Sequence, residues 1–263
     1  MSNEGKLIVE RTGAVGRVIF SNPDKRNAMS LDMWRALPRA VQELDGDESV
    51  RVVVLEGTGD KAFVAGADIS QFEQVRLDPQ ARREYDDTVD AGYAAAVRCS
   101  KPVVAKIRGF CVGGGLGIAA SCDVRICADD ARFRMPAGRL GLGYNLEGIK
   151  RFVDLIGPQN AYDLFFSARM IDAADALRMG FVSKVVAVDQ LDAEVARWAG
   201  LVAENAPLTL RAMKVAVNTL LSQPDRGDTA AVDAAIERCF TSDDYREGVR
   251  AFLEKREPRF QGR

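Results

Sequence analysis

The chain has 263 residues, 47% of them apolar, and a formal net charge of −2 from 36 basic and 38 acidic residues. That suits one large globular domain, or a domain with an appendage, and gives no electrostatic basis for nucleic acid as the main partner. It has 0 His, which excludes an ordinary Cys/His zinc site and a Cys–His nucleophile and leaves proton transfer to carboxylate, Tyr, Lys, Cys or water.

Residues 6–20 read as two strands, KLIVERTG and AVGRVIF, followed by a turn, SNPDKRN, at 21–27. Ser30 is the expected N-cap of a helix running through Leu44, with Pro38 as a candidate kink. RVVVLE (51–56) is a continuous apolar run of the buried-strand type. GTGDKAFVAGAD then gives a turn, a short strand and a glycine loop. Residues 70–99 read as one or two polar helices around Asp78–Pro79, and KPVVAKIRG (101–109) as a strand.

GFCVGGGLG (109–117) carries three consecutive glycines, Gly113 to Gly115, with an apolar run, Leu116 to Ala120, expected to open a helix. Backbone without Cβ atoms turns sharply and lets a ligand approach its N–H groups. Free N–H groups at a helix start suit an anion or a developing oxyanion. CDVRICADD (122–130) is the next strand and 131–145 a loop. Helices follow at 148–156, 158–167 and 172–179, then a strand at 181–187 and helices at 189–204, 207–222 and 228–254. Alternation of β and α units, then helices, argues for α/β packing with a helical C-terminal section.

Cys99, Cys111, Cys122, Cys127 and Cys239 form no CxxC pair, and four lie in apolar segments. They read as reduced, buried thiols of a cytosolic protein. The N-terminus, MSNEGKLIVE, lacks the layout of a secretory signal, and no apolar run approaches the roughly 20 residues of a membrane helix.

Five segments together resemble the crotonase superfamily, the enoyl-CoA hydratase/isomerase group. They are NPDKRNAMS (22–30), FVAGADI (63–69), KPVVAKIRGFCVGGGLGIAASCDVRIC (101–127), LGLG (140–143) and AFLEKREPRF (251–260). The resemblance implies a crotonase-type spiral of ββα units over residues 1–200. A helical section at 201–263 would serve trimerisation and CoA capping. It implies acyl-CoA thioester substrates, CoA entering only as part of the substrate with no resident cofactor or metal, and a homotrimer or dimer of trimers. The two N–H groups that would hold the thioester oxygen match Ala67 and Gly114. Lys25, Arg26, Ala28, Ala65, Asp68 and Ile69 fall where the family contacts CoA, and Phe252 and Lys255 where it caps the CoA of a neighbouring subunit. For the lysines and Arg26, plain surface charge is the alternative.

The sequence departs from the family where hydratases carry their two catalytic glutamates: Gly117 and Ala137 stand there. Neither moves a proton. Tyr144, Asn145 and Glu147, in LGLGYNLEGI, are candidates to replace them. Glu147 is either an acid/base, if buried, or an exposed first-turn carboxylate. Tyr144 is either functional or a packing aromatic. The YNLEGI stretch also resembles the methylmalonyl-CoA decarboxylase branch, though that branch has a His at the position of Ala67. Arg134 and Arg139 read as surface residues, and Asp123 as a structural cap. Three readings follow: an unconventional hydratase or isomerase using Tyr144 or Glu147, a decarboxylase or hydrolase using Tyr144 and Asn145, and a catalytically silent CoA binder.

Overall fold

The computed structural model describes residues 5–68, 78–205, 207–221, 237, 240–256 and 258. The chain divides into two compact units, one of residues 1–133 with 171–222 and one of residues 134–170 with 223–263. These units interleave in sequence, whereas the division at 200/201 follows chain order.

The first unit is built on parallel β-strands. β1 (Lys6–Thr12) and β2 (Val15–Ser21) form an antiparallel hairpin that turns at Gly13, whose φ is 57°. β2 then pairs in parallel with β3 (Val52–Gly57), whose run VVVLE is buried throughout, as expected of a strand covered on both faces. β5 (Val103–Ile107), β7 (Val124–Ala128) and β10 (Lys184–Val186) complete a six-stranded sheet ordered β1-β2-β3-β5-β7-β10. A second sheet, β4-β6-β8-β9, joins β4 (Ala62–Val64), β6 (Phe110–Val112), β8 (Arg132–Arg134) and β9 (Ile171–Asp172).

Helices cover these sheets. α1 (Leu31–Gly46) starts at Ser30, whose Oγ accepts the Met33 N–H at 3.2 Å, and runs through Pro38 as one element. α2 (Pro79–Arg98) is capped by Asp78, which accepts from the Ala81 N–H at 2.7 Å. α3 (Gly114–Ser121) is buried along nearly its whole length. Of the remaining helices, α4 (Leu146–Ser167) belongs to the second unit. α5 (Ala173–Arg178) is followed by α6 (Leu191–Ala203), whose Leu191, Val195 and Ala199 pack on Val52, Val54, Val104 and Ile126. Burying Leu191 and Val195 contributes about 1.5–3 kcal/mol each. α7 (Pro207–Leu221) anchors its inner face through Lys214, which donates to Ala96 O at 2.9 Å, Lys101 O at 3.0 Å and Asp123 at 2.8 Å. Met213, Val215, Val217 and Leu220 of the same helix are exposed.

In the second unit a short 3-10 turn (Ala137–Leu140) ends at Gly141, whose φ is 66°. A Cβ on Gly141 would lie 2.7 Å from the Tyr245 Cα, so this turn packs directly on α8 (Asp243–Leu253). Asn145 caps α4 by accepting the Gly148 N–H at 2.7 Å. The two helices expected at 148–156 and 158–167 are both present as the halves of α4, meeting at Gly157, where φ is 72° and ψ 163°.

Other expectations need correction. The glycine-loop helix starts at Gly114, not Leu116, because apolar side chains mark burial rather than the first helical turn. The loop expected at 131–145 holds β8 and the 3-10 turn, and the strand at 181–187 shortens to Lys184–Val186. Of the helix expected at 228–254, Asp243–Leu253 is α8, and residues 228–236 lie outside the described residues. Ile69 and Cys239 also lie outside them. Among the described residues no helix is long and apolar enough to cross a membrane.

Candidate active site

The site of the first unit grows from the ends of β4 and β6. After β4 the chain passes through Gly66, at φ 111°, and forms a parallel bridge with Met29. Met29 donates to Gly66 O and Asp68 donates to Met29 O, both at 2.8 Å. That pattern uses the groups on either side of Ala67 and leaves the Ala67 N–H outside the ladder. After β6, Gly113 takes φ 52° and ψ −113°, a conformation open to glycine, and α3 begins at Gly114. As the first helical residue, Gly114 has an N–H with no acceptor inside its own helix. Among the described residues neither amide donates to a backbone acceptor.

The two amides are neighbours. A Cβ built on Gly114 would lie 3.7 Å from the Ala67 nitrogen. Each glycine of the triplet therefore has its own cause. Gly113 supplies the positive φ. Gly114 sits against the Trp34 indole, whose Cζ2 would be 3.0 Å from an added Cβ. Gly115 lies so close to β4 that a Cβ would meet Val64 O at 2.1 Å.

The far end of α3 is fixed as firmly. The Arg125 guanidinium donates to Cys122 O at 2.6 Å, Ala119 O at 3.3 Å and Phe181 O. It thereby satisfies carbonyls at the helix C-terminus, where a cation is favoured. Asp123, next to it, accepts the Val103 N–H at 2.7 Å and the Lys214 ammonium at 2.8 Å. Burial pushes its carboxyl up from the ordinary range, and Lys214 and the Val103 N–H pull it back. Those contacts tie α3, β5 and α7 together, the structural part foreseen for Asp123.

Position 117 holds the least expected arrangement. A Cβ on Gly117 would lie 2.6 Å from Cε1 and Cζ of Tyr93 and 2.7 Å from its hydroxyl oxygen. The room for a side chain at 117 is thus already filled by a tyrosine from α2. Tyr93 stacks edge-on with Trp34, centroids 5.2 Å apart. Trp34 in turn is wedged between two glycines, since a Cβ on Gly92 would touch its Cε3 at 2.6 Å.

The proposed CoA-contacting residues of this unit cluster beside Ala67. Lys25 pairs with the buried Asp68 at 2.6 Å. Arg26 lies over the Phe110 ring at 4.9 Å, and its carbonyl accepts the Ala65 N–H at 3.1 Å. Ala28 is buried. The loop holds its shape through Asn22 and Asn27, both buried, with Asn27 donating to Thr58 O at 2.9 Å and Ala62 O at 2.8 Å. Arg26 and Asn27 both have positive φ, at 52° and 57°.

In the second unit Ala137 is buried at the start of the 3-10 turn and accepts the Leu142 N–H at 3.0 Å. Tyr144 is half-buried, edge-on to Phe165 at 5.3 Å. Glu147 is exposed in the first turn of α4. Arg134 donates to Ala168 O at 2.6 Å. Phe252 and Lys255 are exposed, and Lys255 has φ 53°.

The four described cysteines are buried. Burial pushes the Cys99 and Cys127 thiols up to about 12 and Cys111 well above its usual value, which makes them poor nucleophiles at neutral pH.

The profile of the enoyl-CoA hydratase/isomerase family matches residues 10–263. The chain belongs to this family. A short-chain-enoyl-CoA hydratase of Clostridium acetobutylicum is 34% identical over 250 residues, 95% of either chain. A solved enoyl-CoA hydratase/carnithine racemase of Magnetospirillum magneticum is 35% identical, with TM-score 0.81, covering 98% of this chain and 96% of that one. A methylmalonyl-CoA decarboxylase, solved in complex with 2-nitronate-propionyl-CoA, is 28% identical with TM-score 0.91, covering 98% and 99%. Family membership makes this an acyl-CoA-acting enzyme with the α/β fold of its relatives. Reading the sequence missed Tyr93 and Trp34. The only signal was the pair of glycines, Gly92 and Gly117, that make room for them.

Proposed function

We propose that this protein processes acyl-CoA thioesters through an enolate whose oxygen is held by the Ala67 and Gly114 N–H groups. The single observation that carries the reading is the pair of adjacent backbone amides without backbone acceptors among the described residues, one at a helix start, on glycine-shaped backbone. Such preformed donors stabilise charge on the thioester oxygen with no reorganisation during the reaction. Lys25, Arg26, Ala28, Ala65, Asp68 and Ile69 would contact CoA, with Lys25 and Arg26 supplying the positive charge for its phosphates. Phe252 and Lys255 would cap the CoA of a neighbouring subunit in a trimer or dimer of trimers. The exposed apolar residues of α7 support contact between copies in that assembly. The buried thiols, none in a disulfide among the described residues, support a reducing, cytoplasmic setting.

Two-carboxylate hydration does not fit, because Gly117 and Ala137 carry no titratable group. Proton transfer in a hydratase or isomerase reaction would fall to Tyr144 or Glu147. A second reading, decarboxylation of a 2-carboxyacyl-CoA, is favoured by the higher TM-score with the decarboxylase than with the hydratase/racemase. That reaction needs no base to begin. The C2–carboxylate bond breaks, CO2 leaves, and the electron pair enters the thioester enolate that the two amides hold. The deciding experiment is turnover of crotonyl-CoA, followed by loss of enoyl absorbance, beside CO2 release from methylmalonyl-CoA. Hydration at a catalytic rate selects the first reading and CO2 release the second. Silence on both, with tight CoA binding, contradicts the enolate reading for these acyl groups and leaves a CoA binder.

A further inference from the structure

We infer that Tyr93, backed by Trp34, contacts the acyl group in place of the carboxylate that hydratases carry at position 117. It would make the site select acyl groups bearing a hydrogen-bond acceptor at C2 or C3. This rests on the reading of Ala67 and Gly114 as the oxyanion amides. Gly114 and Gly117 are three residues apart and share one face of α3. In a helix the Cα–Cβ bond tilts toward the N-terminus, so the space that a residue at 117 covers lies over the turn containing Gly114. The Tyr93 hydroxyl stands in that space, 2.7 Å from where the Cβ would be.

A second, independent feature points to a polar ligand atom nearby. Trp34 is 1% exposed and its Nε1 has no hydrogen-bond partner among the described residues. Its indole edge carrying Cζ2, the ring atom bonded to the same carbon as Nε1, faces Gly114, with Cζ2 3.0 Å from where a Cβ on that glycine would be. A buried N–H without an acceptor costs about 1–3 kcal/mol. An acceptor on a bound acyl group would relieve that cost. An indole N–H donates only, and a phenol near neutral pH donates and is no base. The pair is therefore suited to an anionic or carbonyl oxygen on the acyl chain and unsuited to activating water. A 2-carboxyacyl or 3-oxoacyl thioester carries such an oxygen; a plain alkyl or enoyl chain does not.

The test uses two inert thioethers, 2-carboxypropyl-CoA and propyl-CoA, titrated calorimetrically into the full-length protein and into Tyr93→Phe. Phe keeps the ring against Gly117 and removes only the hydroxyl. A hydrogen bond to a charged group predicts that the wild type prefers the carboxylated ligand by about ten- to a hundredfold. The variant should lose about tenfold of that preference with propyl-CoA affinity unchanged. Equal affinities in the wild type, or an undiminished preference in the variant, would overturn the inference. Neither thioether has a thioester oxygen, and Tyr93→Phe leaves the amides of Ala67 and Gly114 in place, so the difference between wild type and variant reports the hydroxyl and not the amides. Those are read out separately, by how much of the wild type's preference for a 2-nitronate acyl-CoA over CoA is lost in Gly114→Pro relative to Gly114→Ala. Loss of that preference in the wild type would overturn both readings, whereas its survival beside a failed thioether test would overturn Tyr93 alone.

Discussion

Replacing Gly114 isolates one of the two proposed donors with little disturbance of the fold. Gly114 is the first helical residue of α3, the position where proline is best tolerated because its missing N–H had no intrahelical partner. Gly113 before it already lies outside the α region, at φ 52° and ψ −113°, as the residue before a proline requires. Gly114→Pro therefore removes the N–H without breaking a helical bond. It also adds a Cβ 3.0 Å from Trp34 Cζ2, tight enough to need a few tenths of an ångström of movement. Gly114→Ala adds the same Cβ and keeps the N–H, so it measures the steric part alone. Losing one oxyanion donor costs about 2.7–4 kcal/mol, or about 10²–10³ in kcat. We expect Gly114→Pro to fall by that factor relative to Gly114→Ala, not merely to wild type. The assay is turnover of whichever thioester the wild type converts, with circular dichroism to establish that both variants are folded. Equal losses in Ala and Pro would show that the Trp34 contact matters and the N–H does not.

Restoring a glutamate at 117 should fail on its own. Gly117→Glu drives its Cβ to 2.6 Å from the Tyr93 ring, and overpacking of this kind costs about 1–3 kcal/mol. Urea unfolding should show that loss, and Tyr93→Ala in the same chain should recover part of it; simple additivity would refute the contact. If Glu147 carries the proton, Glu147→Gln should cut kcat by about 10²–10⁴, whereas an unchanged rate and pH profile would assign it to the solvent-facing helix start. Alkaline pH should destabilise the fold. The Cys99 and Cys127 thiols rise from 9.0 to about 12 in the folded chain. Their contribution is fully present below pH 9 and lost between there and pH 12, on the order of 1 kcal/mol each by pH 10. A melting temperature flat from pH 8.5 to 10.5 would contradict this. Under native conditions at pH 8 the same thiols should resist a disulfide exchange reagent and react in urea.

Much of the site's frame was readable because single residues had single causes. Three glycines in a row admit few explanations other than bare backbone at a turn, and Ser30 before an apolar helix pattern reads as a cap. Bare N–H groups at a helix start followed from that logic, and their assignment to Ala67 and Gly114 came from the family resemblance. The start of α3 was misplaced because Leu116 to Ala120 report burial, which begins a few residues after the helix does. Tyr93 was out of reach for a different reason. Its contact with Gly117 spans two helices, and its place on α2 depends on a register that the polar sequence of that helix does not fix. β8 and β9 pair over only Arg132–Asp172 and Phe133–Ile171, too few residues for a period of two to show. Asn22 and Asn27 belong to the turn that was foreseen, but their bonds to Ala28, Thr58 and Ala62 are made by tertiary folding.

The most direct test of the account is the affinity of the full-length protein for a 2-nitronate acyl-CoA, a stable anion shaped like the thioester enolate, compared with CoA itself. Paired donors at Ala67 and Gly114 predict binding tighter than CoA by at least about a hundredfold, since a charge-assisted hydrogen bond contributes about 1.5–3 kcal/mol, and Gly114→Pro should remove most of that advantage. Equal affinity for the nitronate and for CoA would contradict an oxyanion site and leave a protein that holds CoA without acting through an enolate.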